Sequence, residues 1–151
     1  MRCRCGHRHW GLFGAAGLAL LRDGEDPVRL LLQLRSAWTH EGGTWGTPGG
    51  AAHADESPVR AALRETWEET GVDPDDVEVL GEIVAADHVD WRYTVVIGRA
   101  ADQVEPRAAN AESDEVRWVA LADVEGLVLH PGLAAAWPRL AGAITELGRP
   151  R

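Results

Sequence analysis

Residues 50–72 read GAAHADESPVRAALRETWEETGV, and they carry the densest chemistry in the chain. Ser57 is a helix N-cap by type, Pro58 suits a first helical position, and Gly71 suits the residue just past a helix end, so the spacing predicts a helix over Pro58–Thr70. Val59, Ala62, Leu63, Thr66, Trp67 and Thr70 recur at three- and four-residue steps, a stripe expected to pack on a sheet. Glu65, Glu68 and Glu69 stand at i, i+3 and i+4 and are expected on the other side. Like charges at that spacing repel by about 0.2–0.5 kcal/mol per pair, and Arg64, four residues before Glu68, is placed to pair with it. Such a gathering of hard oxygens suits Mg2+ or Mn2+, which bind through a few carboxylates and keep water and phosphate as remaining ligands. A solvated, glutamate-rich helix face is the plainer alternative.

Outward from this helix, composition removes several classes of chemistry. The chain has 151 residues, 45% hydrophobic and 26% charged, which is the size and balance of one globular domain. There are 15 basic and 24 acidic side chains, a net charge of −9, which argues against a general nucleic-acid binder that neutralises phosphates. All the cations are arginine; the absence of lysine excludes the P-loop, Schiff-base enzymes and Ser–Lys hydrolases. Ser36, Ser57 and Ser113 do not sit in a nucleophile elbow. No uninterrupted apolar stretch has the length of a membrane helix.

Cys3 and Cys5 are too few and too close for a disulfide scaffold, and a reducing, cytoplasmic compartment is expected. Arg2, Arg4 and Arg8 ahead of Gly11–Leu21 have the form of a signal peptide. No clear cleavage site follows, so the run is read as a buried strand. Cys3, Cys5, His7 and His9 are of zinc-ligand type, but four ligands within seven residues wrap a tetrahedron poorly.

Strands are expected at Leu12–Leu21 and Arg29–Arg35, joined by a polar turn with Gly24 and Pro27, then at Val77–Ala86, Trp91–Arg99 and Val116–Ala120. Ser36 to Gly50 reads as a loop rich in glycine and tryptophan, and Gly132–Leu147 as a final helix weakened by Pro138 and Gly142. The whole is an α/β sandwich.

Counting along the quoted stretch gives Gly50, five residues, Glu56, seven residues, then Arg64-Glu65-Thr66-Trp67-Glu68-Glu69-Thr70-Gly71-Val72. This resembles the Nudix box, G-x5-E-x7-R-E-U-x-E-E-x-G-U with U a bulky aliphatic residue, departing from it only where Thr66 takes the first U. Weaker likeness runs from about Gly14 to Trp137. The resemblance implies an α/β/α sandwich with a mixed sheet. It divides the chain into an N-terminal segment, 1–10, and a Nudix hydrolase domain, 11–151. It also implies divalent-metal-dependent pyrophosphohydrolysis of a small nucleoside di- or triphosphate derivative, with no nucleic-acid or membrane partner, and it is compatible with a homodimer.

By the same resemblance Glu65, Glu68 and Glu69 match the family's metal ligands, Arg64 the arginine orienting one of them, and Gly49 a glycine whose carbonyl completes the shell. Glu56 matches a helix-entry position. Glu112-Ser113-Asp114-Glu115 is similar to an acidic loop of oxidised-purine nucleotide hydrolases of the MutT-like kind. There Glu115 matches a carboxylate that reaches the metal as ligand or general base, with Glu112 in reserve. Arg35 resembles a phosphate-contacting arginine, and Trp38 is of the type that stacks on a base. A catalytically silent ligand-sensing member, or a hydrolase of another nucleoside-diphosphate-linked substrate, is the alternative.

Overall fold

The computed structural model describes residues 14–39, 41–88 and 91–147. Leu12, Phe13, the candidate zinc ligands Cys3, Cys5, His7 and His9, and the 1–10/11–151 boundary lie outside them. Alternating apolar residues build the centre. Strand β1 (Ala15–Arg22) sends Ala16, Leu18 and Leu20 to one face of the sheet and Ala19 and Leu21 to the other. The first face is covered by helix α1 (Pro58–Thr70) through Ala61 and Ala62, the second by helix α2 (Pro131–Leu147) through Leu133, Trp137, Leu140 and Ile144. Each fully buried leucine contributes about 1.5–3 kcal/mol, so strands apolar on both faces are what a three-layer α/β/α sandwich requires.

The remaining strands are β2 (Arg29–Arg35), β3 (Trp45–Gly46), β4 (Gly49–Ala51), β5 (Val77–His88), β6 (Trp91–Ala100) and β7 (Ser113–Ala120). They form one mixed sheet in the order β3-β2-β1-β6-β5, with β4 paired to β1 and β7 to β2. Among the described strands only β1 and β6 pair in parallel, from Ala15↔Tyr93 to Leu21↔Arg99. β1 and β2 pair only at Leu21↔Leu30 and Arg22↔Arg29. Beyond that point β1 pairs with β4 and β2 with β3, while β7 follows the other edge of β2 along its whole length, and Glu69 bridges the split by bonding to Gln33 of β2 and Gly49 of β4.

Several expectations change. The stretch 36–50 is not all loop: β3 and the start of β4 lie in it. β7 starts at Ser113 rather than Val116, so most of the acidic run is strand. On α1, Trp67 leaves the buried stripe and is 55% exposed, while Glu69, expected on the outer side, is 3% exposed. Thr66, in the stripe as expected, donates its hydroxyl to Ala62 O at 2.7 Å, which satisfies a buried polar group within the helix. No helix among the described residues is long and apolar enough to cross a membrane.

Candidate active site

Helix α1 is fixed at both ends by local chemistry. Ser57 Oγ accepts from Arg60 N at 3.2 Å, a cap of about 1 kcal/mol. Gly71, at φ 75°, takes the left-handed conformation that ends the helix, and its N–H donates to Trp67 O at 2.9 Å. The orphaned carbonyls of the last turn are met by the segment before β7: Arg107 N donates to Thr70 O at 3.0 Å and Ala109 N to Glu69 O at 2.9 Å.

Arg64 distributes one positive charge over three carboxylates. Its main partner is Glu56, reached by Nε at 2.8 Å and Nη2 at 3.0 Å, not Glu68, which Nη1 approaches only at 3.3 Å. Nη1 also donates to Glu65 Oε1 at 3.1 Å, and Nη2 to Ala51 O at 3.0 Å. The two-pronged bond from Arg64 holds the Glu56 carboxyl down at about 2 although partial burial opposes it, and the His53 N–H adds to the effect. The pair raises the Arg64 guanidinium above its ordinary value in return.

Glu65 and Glu69 are in a different situation. Glu65 lies against Gly50, where an added Cβ would stand 2.6 Å from the carboxyl carbon, so the glycine makes room for the carboxylate. Burial raises its pKa, partly opposed by Arg64 and reinforced by Glu68 and Glu112. Glu69 accepts from Gln33 Nε2 at 2.8 Å on Oε1 and from Gly49 N at 3.1 Å on Oε2. Burial pushes it up to about 8; the Gln33 and Gly49 donors pull the other way, and the charges of Glu65 and Glu112 push with burial. Glu68, its side chain 45% exposed, turns toward Arg64.

Among the described residues, no three His, Cys, Asp or Glu side chains form a ready-made metal-binding group. What the site offers is a pair, Glu65 and Glu69, with hard oxygens, too little positive charge nearby, and peptide groups of Gly49 and Gly50 alongside. A Mg2+-type ion that takes one or two carboxylates plus phosphate oxygens fits that donor set.

The structure separates the two acids expected near β7. The β2–β7 register shifts between Leu34↔Glu115 and Arg35↔Ser113, a bulge at Asp114 that turns Ser113 to the face of Gln33. Glu115 falls on the opposite face with Leu34 and pairs with Arg117 at 2.9 Å, while Arg117 lies over the Trp45 ring at 4.7 Å. Glu115 is therefore not brought to the α1 carboxylates, whereas the charge of Glu112 acts weakly on both Glu65 and Glu69.

A cavity of about 330 Å3 adjoins this site and shares Gly49 and Gly50 with it. Gln33, Arg35 and Thr47 also line it, as do Trp91, Tyr93 and His130 and, from α2, Leu133 and Ala136. The Trp91 and Tyr93 rings stack with centroids 6.5 Å apart and an interplanar angle of 24°. Arg35 lines the cavity, as a residue expected to meet substrate must. Trp38 is 71% exposed and does not line the cavity, so the aromatic wall comes from β6. Gln33, Thr47 and His130 carry no motif. The one signal in the sequence is Gln33 itself, an amide inside the apolar run of β2, which burial obliges to find partners.

The NUDIX domain family matches residues 12–140. A "Putative 8-oxo-dGTP diphosphatase 3" of Mycobacterium tuberculosis is 44% identical over 144 residues, 91% of this chain and 66% of its own length. A "Nucleoside triphosphate pyrophosphatase/Nudix hydrolase fusion protein" of Bifidobacterium longum is 43% identical over 152 residues, covering 96% of this chain and 31% of its own. This chain therefore spans less than two thirds of either relative. The crystal structure of the Nudix hydrolase RenU from M. smegmatis superposes with a TM-score of 0.90 at 38% identity, over 98% of this chain and 95% of that one.

Proposed function

The chain belongs to the Nudix family, and from that premise we propose that residues 11–151 form a divalent-metal-dependent pyrophosphohydrolase. It would cleave a phosphoanhydride bond in a nucleoside di- or triphosphate derivative, with oxidised-nucleotide clearance of the MutT-like kind as its task. The observation that carries this reading is the Glu65–Glu69 pair beside Gly49 and Gly50, two glycines that also line a cavity shared with Arg35 and the aromatic side chains Trp91 and Tyr93. Likeness to a putative 8-oxo-dGTP diphosphatase supports the choice of substrate class.

In this reading Glu65 and Glu69 hold Mg2+ (or Mn2+), with the Gly49 carbonyl beside them and Glu68 able to join by leaving Arg64. When bound, the ion neutralises phosphate oxygens and acidifies a water. Arg35 binds the phosphates. Trp91 and Tyr93 offer the base an apolar face. Arg64, tied to Glu56, keeps Glu65 oriented. The ligand or general-base role expected for Glu115 passes in this reading to Glu112, the reserve candidate, supported by the turn of Glu115 to the opposite face of the sheet and by the charge of Glu112 acting on Glu65 and Glu69. The test is a panel of dGTP, 8-oxo-dGTP, 8-oxo-dGDP, ADP-ribose and diadenosine polyphosphates with Mg2+, with products identified. Turnover of a nucleoside di- or triphosphate is expected; binding of the panel with no hydrolysis of any member would overturn the reading in favour of a silent ligand sensor.

A further inference from the structure

Gln33 stands in the middle of the apolar run of β2 and is 3% exposed. Its Nε2 donates to Glu69 Oε1 at 2.8 Å, and its Oε1 accepts from Ser113 Oγ at 3.1 Å. The two ends of an amide have opposite polarity, whereas a carboxylate ionised to hold a cation only accepts. A flipped Gln33 would set its oxygen against that of Glu69, and Ser113, donating to Gln33 Oε1, anchors the far end of the amide in the productive orientation.

Ser113 supplies that donor because of the bulge. With an unbroken register, Asp114 would share the face of Arg35 and Gln33; the bulge gives that place to Ser113. The distortion is held from β2's end by Ser36, which is buried: its N–H donates to Glu112 O at 2.9 Å, and its Oγ lies 2.9 Å from both Ala111 O and Asp114 Oδ1. A continuous buried chain therefore runs from the bulge through Ser113 and Gln33 to Glu69 and on to Gly49 N.

We infer that Gln33, oriented by Ser113 across the β7 bulge, is a positioning residue that fixes the direction in which Glu69 presents its carboxylate. The inference rests on the reading of Glu69 as a cation ligand. Ser113 does not line the cavity, so its substitution probes the relay without touching substrate.

The test titrates Mn2+ into the whole chain without nucleotide, following free Mn2+ by electron paramagnetic resonance, alongside kcat, KM and thermal unfolding. Partners that orient metal ligands are worth about 10–100-fold in metal affinity or activity. Gln33→Met is expected to weaken Mn2+ binding about tenfold, and Ser113→Ala about threefold, with kcat falling in step and KM unchanged in Ser113→Ala. Ser113→Thr, which keeps the hydroxyl, is expected to restore both. Wild-type Mn2+ affinity in Gln33→Met and Ser113→Ala overturns the inference, as does a loss that follows the melting temperature and is not rescued by threonine. Should the wild type bind Mn2+ but hydrolyse no nucleotide, the proposed function fails while the Mn2+ titration still decides the relay.

Discussion

The carboxylates of α1 and those at the entry to β7 are held in opposite ways. On α1 a rigid helix with capped ends fixes the angle between Glu65, Glu68 and Glu69, and each has a partner: Arg64, shared by the first two, and Gln33 and Gly49 for the third. At the β7 entry one extra residue sits in a strand ladder, so Ser113 and Glu115, two apart, lie on opposite faces instead of sharing one. Orientation on a helix is a matter of counting. Orientation across a bulge depends on where the partner strand places the irregularity.

Glu69→Gln probes the helical side of that contrast most severely. It should lower kcat by about 10³-fold or more while the fold is retained, since the amide is isosteric. Activity within tenfold of wild type would remove Glu69 from the centre of the site.

The same variant should reveal the cost of ionising a buried acid. The folded-state pKa of Glu69 is raised to about 8 from an ordinary 4.5. Its stabilising contribution is therefore complete below pH 4.5 and is lost as pH rises through 8. In chelator, wild type should lose stability against Glu69→Gln between pH 5 and pH 9, by an amount on the order of a few kcal/mol. Melting curves of the two proteins across that range measure it; parallel curves would show that Glu69 is not buried as an acid. Added Mg2+ or Mn2+ should recover the difference at the alkaline end.

On the β7 side, Glu112→Gln should reduce kcat by about 10–100-fold, and Glu115→Gln by less than about twofold. This order reverses the one implied by the family resemblance, and equal losses would mean that the bulge does not separate the two acids in function. Smallest of all, Trp38→Ala should leave KM within about twofold, because an exposed side chain away from the cavity has little differential contact to lose. A large rise in KM would bring the 36–44 loop into the substrate site.

The match between residue pattern and structure follows the same division. Pro58–Thr70 and Arg29–Arg35 coincide with α1 and β2 because their signals are local: a cap, a proline, a terminal glycine, a run bounded by arginines. β3 and β4 have two and three residues, too short for any period to show, and exist only through pairing with β2 and β1. Trp67 and Glu69 exchange the burial their residue types suggest. The polar donors that welcome a carboxylate, Gln33 and Gly49, come from strands remote in the chain.

By itself the sequence determined the helix Pro58–Thr70, its acidic triplet, the family and the layered α/β architecture, since each depends on spacings a few residues long. Tertiary structure alone decided which acid is buried, that Arg64 serves chiefly Glu56, that Glu115 turns to the face of Leu34 away from Gln33, and that Trp91 and Tyr93 rather than Trp38 wall the cavity. Those outcomes depend on contacts between segments tens of residues apart. There, burial and hydrogen-bond satisfaction act on groups that no local pattern brings together.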